Sequence, residues 1–220
     1  MKRLTWVTSF VRLLKQERGS VLVEYTVVFP LLALTALGTV DVAYLMFEHA
    51  VANKATYFGA RLAVVSNPVA QNITDFSTLY TATQQANINL PCFDPSSVSS
   101  YSATGNCPSA FAVSCTSTAC NPTTYGFDPS AFTAIYNKMA TIFPDLQASE
   151  VTVSYAVNGT GYIGRPGGLP MSVTVSINKD HTMFFMGALL TFFGGPNWFG
   201  SLLPASSTTL PSESMGDTNL

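Results

Sequence analysis

The sequence predicts an α+β fold in which one long, apolar N-terminal helix runs on into a domain with a small antiparallel sheet and packed helices. Three observations carry that prediction. Residues 25–40 hold no charged side chain, inside a longer apolar run from Val21 to Phe47. Beyond it, apolar residues from Val51 to Val65 recur at steps of three and four, the helical period. Two later runs, Val151–Val157 and Val173–Ile177, alternate apolar and polar residues as half-buried strands do.

At about 1.5 Å per residue, Val21–Phe47 is long enough to span a hydrocarbon core of about 30 Å. Pro30 inside it withdraws one backbone donor and is expected to kink or loosen the helix. Glu24 lies where such a helix enters the bilayer, where an ionised carboxylate costs on the order of 2.5–3.5 kcal/mol and calls for a partner or a purpose. Asp41 is expected to mark the far interface. Downstream, Val51, Ala55, Phe58, Leu62 and Val65 share one stripe that reads as core, with His49, Asn53, Thr56 and Ala60 opposite. Asn67-Pro68 ends the helix.

Charge fixes the direction of crossing. Five bases against Glu17 give residues 1–19 a net charge of +4, and five bases against eleven acids leave the rest at −6. A basic flank before the first apolar segment keeps the N-terminus cytoplasmic. The acidic bulk repels phosphates and argues against nucleic-acid binding. The flank's own apolar residues (Leu4, Trp6, Val7, Phe10, Val11, Leu13, Leu14) fit a short amphipathic surface helix, not the uninterrupted core of a secretory signal peptide.

The rest is read in order. Asp75 to about Asn89 suggests a second helix, capped by Thr74 or Asp75 and closed by Pro91. Residues 91–127 are loop-rich and hold all four cysteines, Cys92, Cys107, Cys115 and Cys120. An even count in an exported segment reads as two disulfides with three possible pairings. Zinc is the competing reading, but the spacing lacks a Cys-x2-Cys pair and no histidine lies nearby. The preferred pairing joins neighbours, Cys92–Cys107 and Cys115–Cys120. Phe111, Val113 and Cys115 suggest a short strand. Asp128-Pro129 is a helix start, an acceptor cap followed by proline at the first position. Phe132, Ile135, Tyr136, Met139 and Phe143 follow on one face, and Pro144 stops it. A Gly-rich connection, Asn158–Pro170, joins the two alternating strands. Thr208-Thr209-Leu210 suggests a last strand. Met183–Phe193 is largely apolar yet too short to span a bilayer. Three roles are open to it: a core segment, a loop dipping into the membrane surface, or a patch that docks other subunits.

One stretch is more specific than composition. Gly19 after a basic leader, then Glu24 and Tyr25 five and six places on, resembles the processing motif of type IV-like prepilins of the Flp/Tad pilus. Glu24-Tyr25-Thr26-Val27-Val28-Phe29-Pro30-Leu31-Leu32 is similar to the start of TadE-like pseudopilins, proline included. Phe58-Gly59-Ala60-Arg61-Leu62-Ala63-Val64 also resembles that family. These matches cover roughly residues 15–65.

The resemblance implies a pseudopilin or minor pilin of Tad pilus assembly. Residues 1–19 are then a basic cytoplasmic leader, 20–66 a transmembrane and extended pilin-like helix, and 67–220 a periplasmic, disulfide-bonded α+β domain. A prepilin peptidase would cut after Gly19 and leave Ser20 as the new N-terminus. Gly19, Ser20, Glu24 and Tyr25 form the processing site, and Glu24 with Pro30 sets register between subunits. Implied partners are the peptidase, the major Flp pilin and other pseudopilins, the inner-membrane assembly platform, and membrane lipid. The expected location is the inner membrane, as a single span, with incorporation in the pilus open. The other reading is an unprocessed single-span envelope protein with a disulfide-bonded periplasmic binding domain.

No catalytic constellation is legible. Gly167-Gly168 lacks the Gly-Lys-Ser/Thr of a phosphate loop. His181 beside Asp180 points to a different side of the chain, and His49 has no Cys, Asp or Glu at ligand spacing. Neither a cofactor nor a metal site is expected, and the chain is read as no enzyme.

Overall fold

The computed structural model describes residues 17–75, 81–86, 88–92, 111–157, 161–164, 170–179, 185, 187, 206–212 and 215. Helix α1 spans Glu17–Val65, the short α2 Ala82–Gln85 and α3 Pro129–Ala140. The strands are β1 Phe111–Cys115, β2 Cys120–Asn121, β3 Val151–Val157, β4 Met171–Ile177 and β5 Ser206–Pro211. They form one five-stranded sheet in the order β2-β1-β3-β4-β5, with every neighbouring pair antiparallel. The fold is α+β. By its contacts the chain divides into two compact units, Met1–Phe47 with His181–Leu202, and Glu48–Asp180 with Leu203–Leu220.

The sheet follows directly from the alternation. Val151, Val153, Tyr155 and Val157 of β3 point to one face, as do Met171, Val173, Val175 and Ile177 of β4, and all are buried. The residues between them, mostly serine and threonine, are half-buried on the other face, where hydroxyls pair across strands. Ser114 meets Ser154 at 2.9 Å, and Thr174 meets Thr209 at 2.7 Å. Expected as an antiparallel pair, the sheet is larger, because β1 and β5 flank that pair and β2 folds back on β1.

Two helices cover the apolar face. Asp128 caps α3: its carboxylate accepts from the backbone N–H groups of Ser130 at 2.8 Å and Ala131 at 3.2 Å, with Pro129 following it. Phe132, Ile135 and Met139 are buried and Tyr136 is partly so, as their spacing predicts. The helix stops at Ala140, short of Pro144. The hydroxyl of the capping residue Thr141 bonds back to the Lys138 carbonyl at 2.7 Å, and a turn carries the chain to Phe143.

The stripe that α1 buries is rotated from the expected one. Ala52, Ala55, Thr56, Gly59, Ala60 and Ala63 are buried, whereas Val65 is 71 % exposed and Phe58 and Leu62 are only partly covered. Thr56 and Ala60, expected opposite the core, lie in it. The physical reason is proximity. A Cβ on Gly59 would sit 2.6 Å from Met139 Sδ and 3.4 Å from Val175 Cγ1, so helix, helix and sheet meet where α1 is thinnest. Thr56 is buried with a partner, its hydroxyl 2.9 Å from that of Thr208 on β5.

The second expected helix is largely corrected. Among the described residues only Ala82–Gln85 is helical, and Asn89, with φ 73°, cannot continue a right-handed helix. Phe76, Leu79 and Tyr80 of its expected face lie outside the described residues. Cys115 and Cys120 are disulfide-bonded across the β1–β2 pair, where they are register partners. Cys92 is disulfide-bonded too, and its expected partner Cys107 lies outside the described residues.

Candidate functional site

The expected processing residues all fall at the start of α1. Gly19 and Ser20 lie in its first turn, with Glu24 and Tyr25 about one turn further on. In a helix, positions four apart share a face, so Ser20 and Glu24 are neighbours along one side. Glu24 is exposed, and among the described residues nothing pairs with it. Tyr25 stacks on Phe29 with ring centroids 5.5 Å apart. Pro30 lies inside the helix and supplies no N–H to the ladder four residues back.

Past these residues, α1 presents a surface suited to lipid. From Val23 to Phe47 the helix rises about 37 Å at 1.5 Å per residue. It is the one helix among the described residues that is long and apolar enough to cross a membrane. Its large apolar side chains are turned outward, with Val27 and Leu31 each 64 % exposed and Phe47 65 %. Its threonine hydroxyls are satisfied within the helix. The hydroxyls of Thr26, Thr35 and Thr39 donate to the carbonyls three residues back, at 2.8, 2.9 and 2.7 Å. In hydrocarbon, where no water competes, that pairing removes the cost of an orphaned hydroxyl.

Asp41, expected at the far interface, is buried within the protein, 4 % exposed. Its carboxylate oxygens accept the backbone N–H of Phe185 at 3.0 and 3.2 Å. Phe185 belongs to Met183–Phe193, the segment for which the sequence leaves three roles open. Phe185 and Gly187 are its described residues, and both are helical. A signal for this contact is present in the sequence. A lone acid at the end of an uncharged run, and an apolar segment too short to span, each need a partner.

Residues 19–61 match the model of the TadE-like protein family. The TadE-like match begins at Gly19 and ends at Arg61, the last residue of the Gly-Ala-Arg string. The structure gives that string a physical meaning. Gly59 is a close-approach position against α3 and the sheet, Ala60 is buried, and the exposed Arg61 lies over the Tyr57 ring, 5.8 Å from its centroid. No curated protein and no solved structure matches the chain. Among the described residues no group of three or more His, Cys, Asp or Glu side chains is placed to hold a metal ion.

Proposed function

We propose that this chain is a minor pilin or pseudopilin of a Tad (Flp) type IV-like pilus, a structural component and not an enzyme. The observation that carries the reading is the TadE-like match opening at Gly19 on a helix whose apolar side chains face outward. In this account prepilin peptidase removes residues 1–19, and residues 20–66 anchor the protein in the inner membrane with the N-terminus cytoplasmic. Residues 67–220 form the periplasmic domain. Partners are the peptidase, the major Flp pilin, other pseudopilins and the assembly platform.

Charge supplies the mechanism. Cleavage turns Ser20 into a free amine at the end of a helix. In a bundle of such helices that amine meets the Glu24 carboxylate of a neighbouring subunit. Opposite charges attract strongly in low dielectric, but desolvation consumes much of the gain, so the pair specifies register more than it adds stability. The leader, with five bases, would crowd the same interface with positive charge. A chain whose domain is much longer than a bare pilin helix suits a priming, capping or joining role.

The test is complementation. In cells that assemble Tad pili and lack their own copy of this gene, the wild-type chain should restore surface pili. Glu24→Leu should be processed and inserted normally yet restore few or none. Full restoration by Glu24→Leu would remove Glu24 from assembly. Failure of the wild-type chain to affect pili at all would favour the unprocessed envelope-protein reading.

A further inference from the structure

Strand β5 is one edge of the sheet, and its hydrogen bonds run to one side only. Just past β4, the Asn178 N–H donates to the Glu150 carbonyl at 2.8 Å, so Ser176 and Thr174 bond towards β3. The residues between them, Ile177, Val175 and Val173, therefore bond towards β5. The register agrees, because the Ser212 N–H donates to the Met171 carbonyl at 2.7 Å. Ser206, Thr208 and Leu210 thus face β4, and the backbone N–H and C=O groups of Ser207 and Thr209 point away from it. Among the described residues none bonds to these outward groups.

Native sheets blunt such edges with shortness, charge, proline or a bulge. The opposite edge, β2, is blunted by length, since it has two residues. Strand β5 has six residues, no charge and an unbroken register, with a proline only at its last position, Pro211. Ser207 and Thr209 are exposed as well as open.

The open groups define what fits them. Donors and acceptors that repeat every second residue are matched by the backbone of another extended chain. Strand β4 shows which side chains such a chain should carry. On the inner edge it sets Val175 and Val173 opposite Thr208 and Leu210, on the face where Thr208 meets Thr56 of α1 at 2.9 Å. It sets Ser176 and Thr174 opposite Ser207 and Thr209 on the other face. A strand on the outer edge meets the same two faces. Residues 206–212 offer it no charge to pair with.

We propose that the outer edge of β5 docks an extended, uncharged segment of a partner protein, alternating apolar and hydroxyl side chains. The segment adds to the five-stranded sheet as a further antiparallel strand, through the backbone of Ser207 and Thr209. This rests on the sheet alone and holds whatever the role of α1.

Fluorescence polarisation on the full chain in detergent micelles tests it, with a labelled, end-capped synthetic peptide of the sequence Met171–Ile177. In the docked register the peptide amides at Thr174 and Ser176 bond to β5, and those at Val173 and Val175 face away. Peptide N-methylated at the two valines should bind as the unmodified peptide does. Peptide N-methylated at the threonine and second serine should bind about tenfold more weakly or not at all. Ser207→Pro removes one outward donor and no ladder bond, so it should melt with the wild type yet bind as weakly. Absence of binding by the unmodified peptide would overturn the proposal, as would equal binding of the two methylated peptides. Full binding by a Ser207→Pro protein that melts normally would do the same; if that variant melts lower, the methylated pair decides. A wild-type dimer that Ser207→Pro dissociates would overturn it in favour of a second copy on the edge.

Discussion

The hydroxyl of Tyr155, in the middle of β3, accepts the backbone N–H of Val69 at 2.9 Å, just beyond the end of α1. Both residues are fully buried. That bond, with the Asp128 N–H donating to the Val69 carbonyl at 2.8 Å, ties the turn after the long helix to the sheet and to the cap of α3. Tyr155→Phe would leave the Val69 N–H without its acceptor in the core, which costs about 1–3 kcal/mol. Chemical denaturation of the two proteins should show that difference with an unchanged m-value.

The same tyrosine makes an alkaline prediction. Burial pushes its pKa from 10.0 up to about 12, against a smaller lowering by the Val69 hydrogen bond. A raised folded-state pKa means the folded state holds its proton where the unfolded chain has lost it. Stability is therefore complete below about pH 10 and falls between about pH 10 and 12, by at most about 1.4 kcal/mol per unit from this group. Urea titrations across that window should show a shallower decline in Tyr155→Phe than in the wild type.

At Gly59, α1 comes close to α3. Gly59→Ala gains about 1 kcal/mol of helix propensity. It also places a methyl 2.6 and 2.8 Å from Met139 Sδ and Cγ, and overpacking typically costs about 1–3 kcal/mol. Net destabilisation is expected. Gly59→Val should be worse, since branching at Cβ adds bulk where there is no room. A double-mutant cycle with Met139→Ala should show coupling of about 0.5–3 kcal/mol, because the shorter side chain vacates the space.

That packing also explains which parts of the fold are legible in the sequence and which are not. The alternation of Val151–Val157 announces β3 because a strand with one buried face repeats every two residues, whatever lies above it. Asp128-Pro129 announces α3 because a cap is local chemistry. The buried face of α1 is not local. Val51, Phe58, Leu62 and Val65 look like a core stripe, but a helix lying this close to a sheet buries Ala52, Gly59 and Ala63 and leaves bulk at its flanks. The sequence signals that Asp41 needs a partner but not which one, because the donor comes from 144 residues away, a separation no window reaches. Gly19, Ser20, Glu24 and Tyr25 are legible as a motif, and their use in processing belongs to the proposal.

The α3 cap is testable through pH. The hydrogen bond from the Ser130 side chain lowers the Asp128 pKa most, desolvation opposes it, and the backbone N–H groups of Ala131 and Ser130 add to the lowering. A lowered folded-state pKa gives stability that is present above the ordinary carboxylate range and is lost as pH falls through the folded value. Asp128→Ala should cost about 1 kcal/mol at neutral pH. Asp128→Asn should retain most of the cap and lose its acid dependence, which thermal melts at neutral and at acid pH would separate.

The Cys115–Cys120 bond closes a small loop of sequence separation 5 in the β1–β2 pair. On the chain-entropy estimate, removing it costs roughly 2 kcal/mol. Cys115→Ser/Cys120→Ser should therefore melt lower than the wild type under oxidising conditions, and the difference should narrow once reductant opens the native bond.

The mature N-terminus reports whether the bond after Gly19 is cut. Mass spectrometry of the membrane-bound protein should find a peptide beginning at Ser20 in cells with an active prepilin peptidase. That peptide should vanish when the peptidase is deleted and when Gly19→Ala is introduced. An intact N-terminus beginning at Met1 in cells with an active peptidase would contradict the account and leave a membrane-anchored protein in search of its ligand.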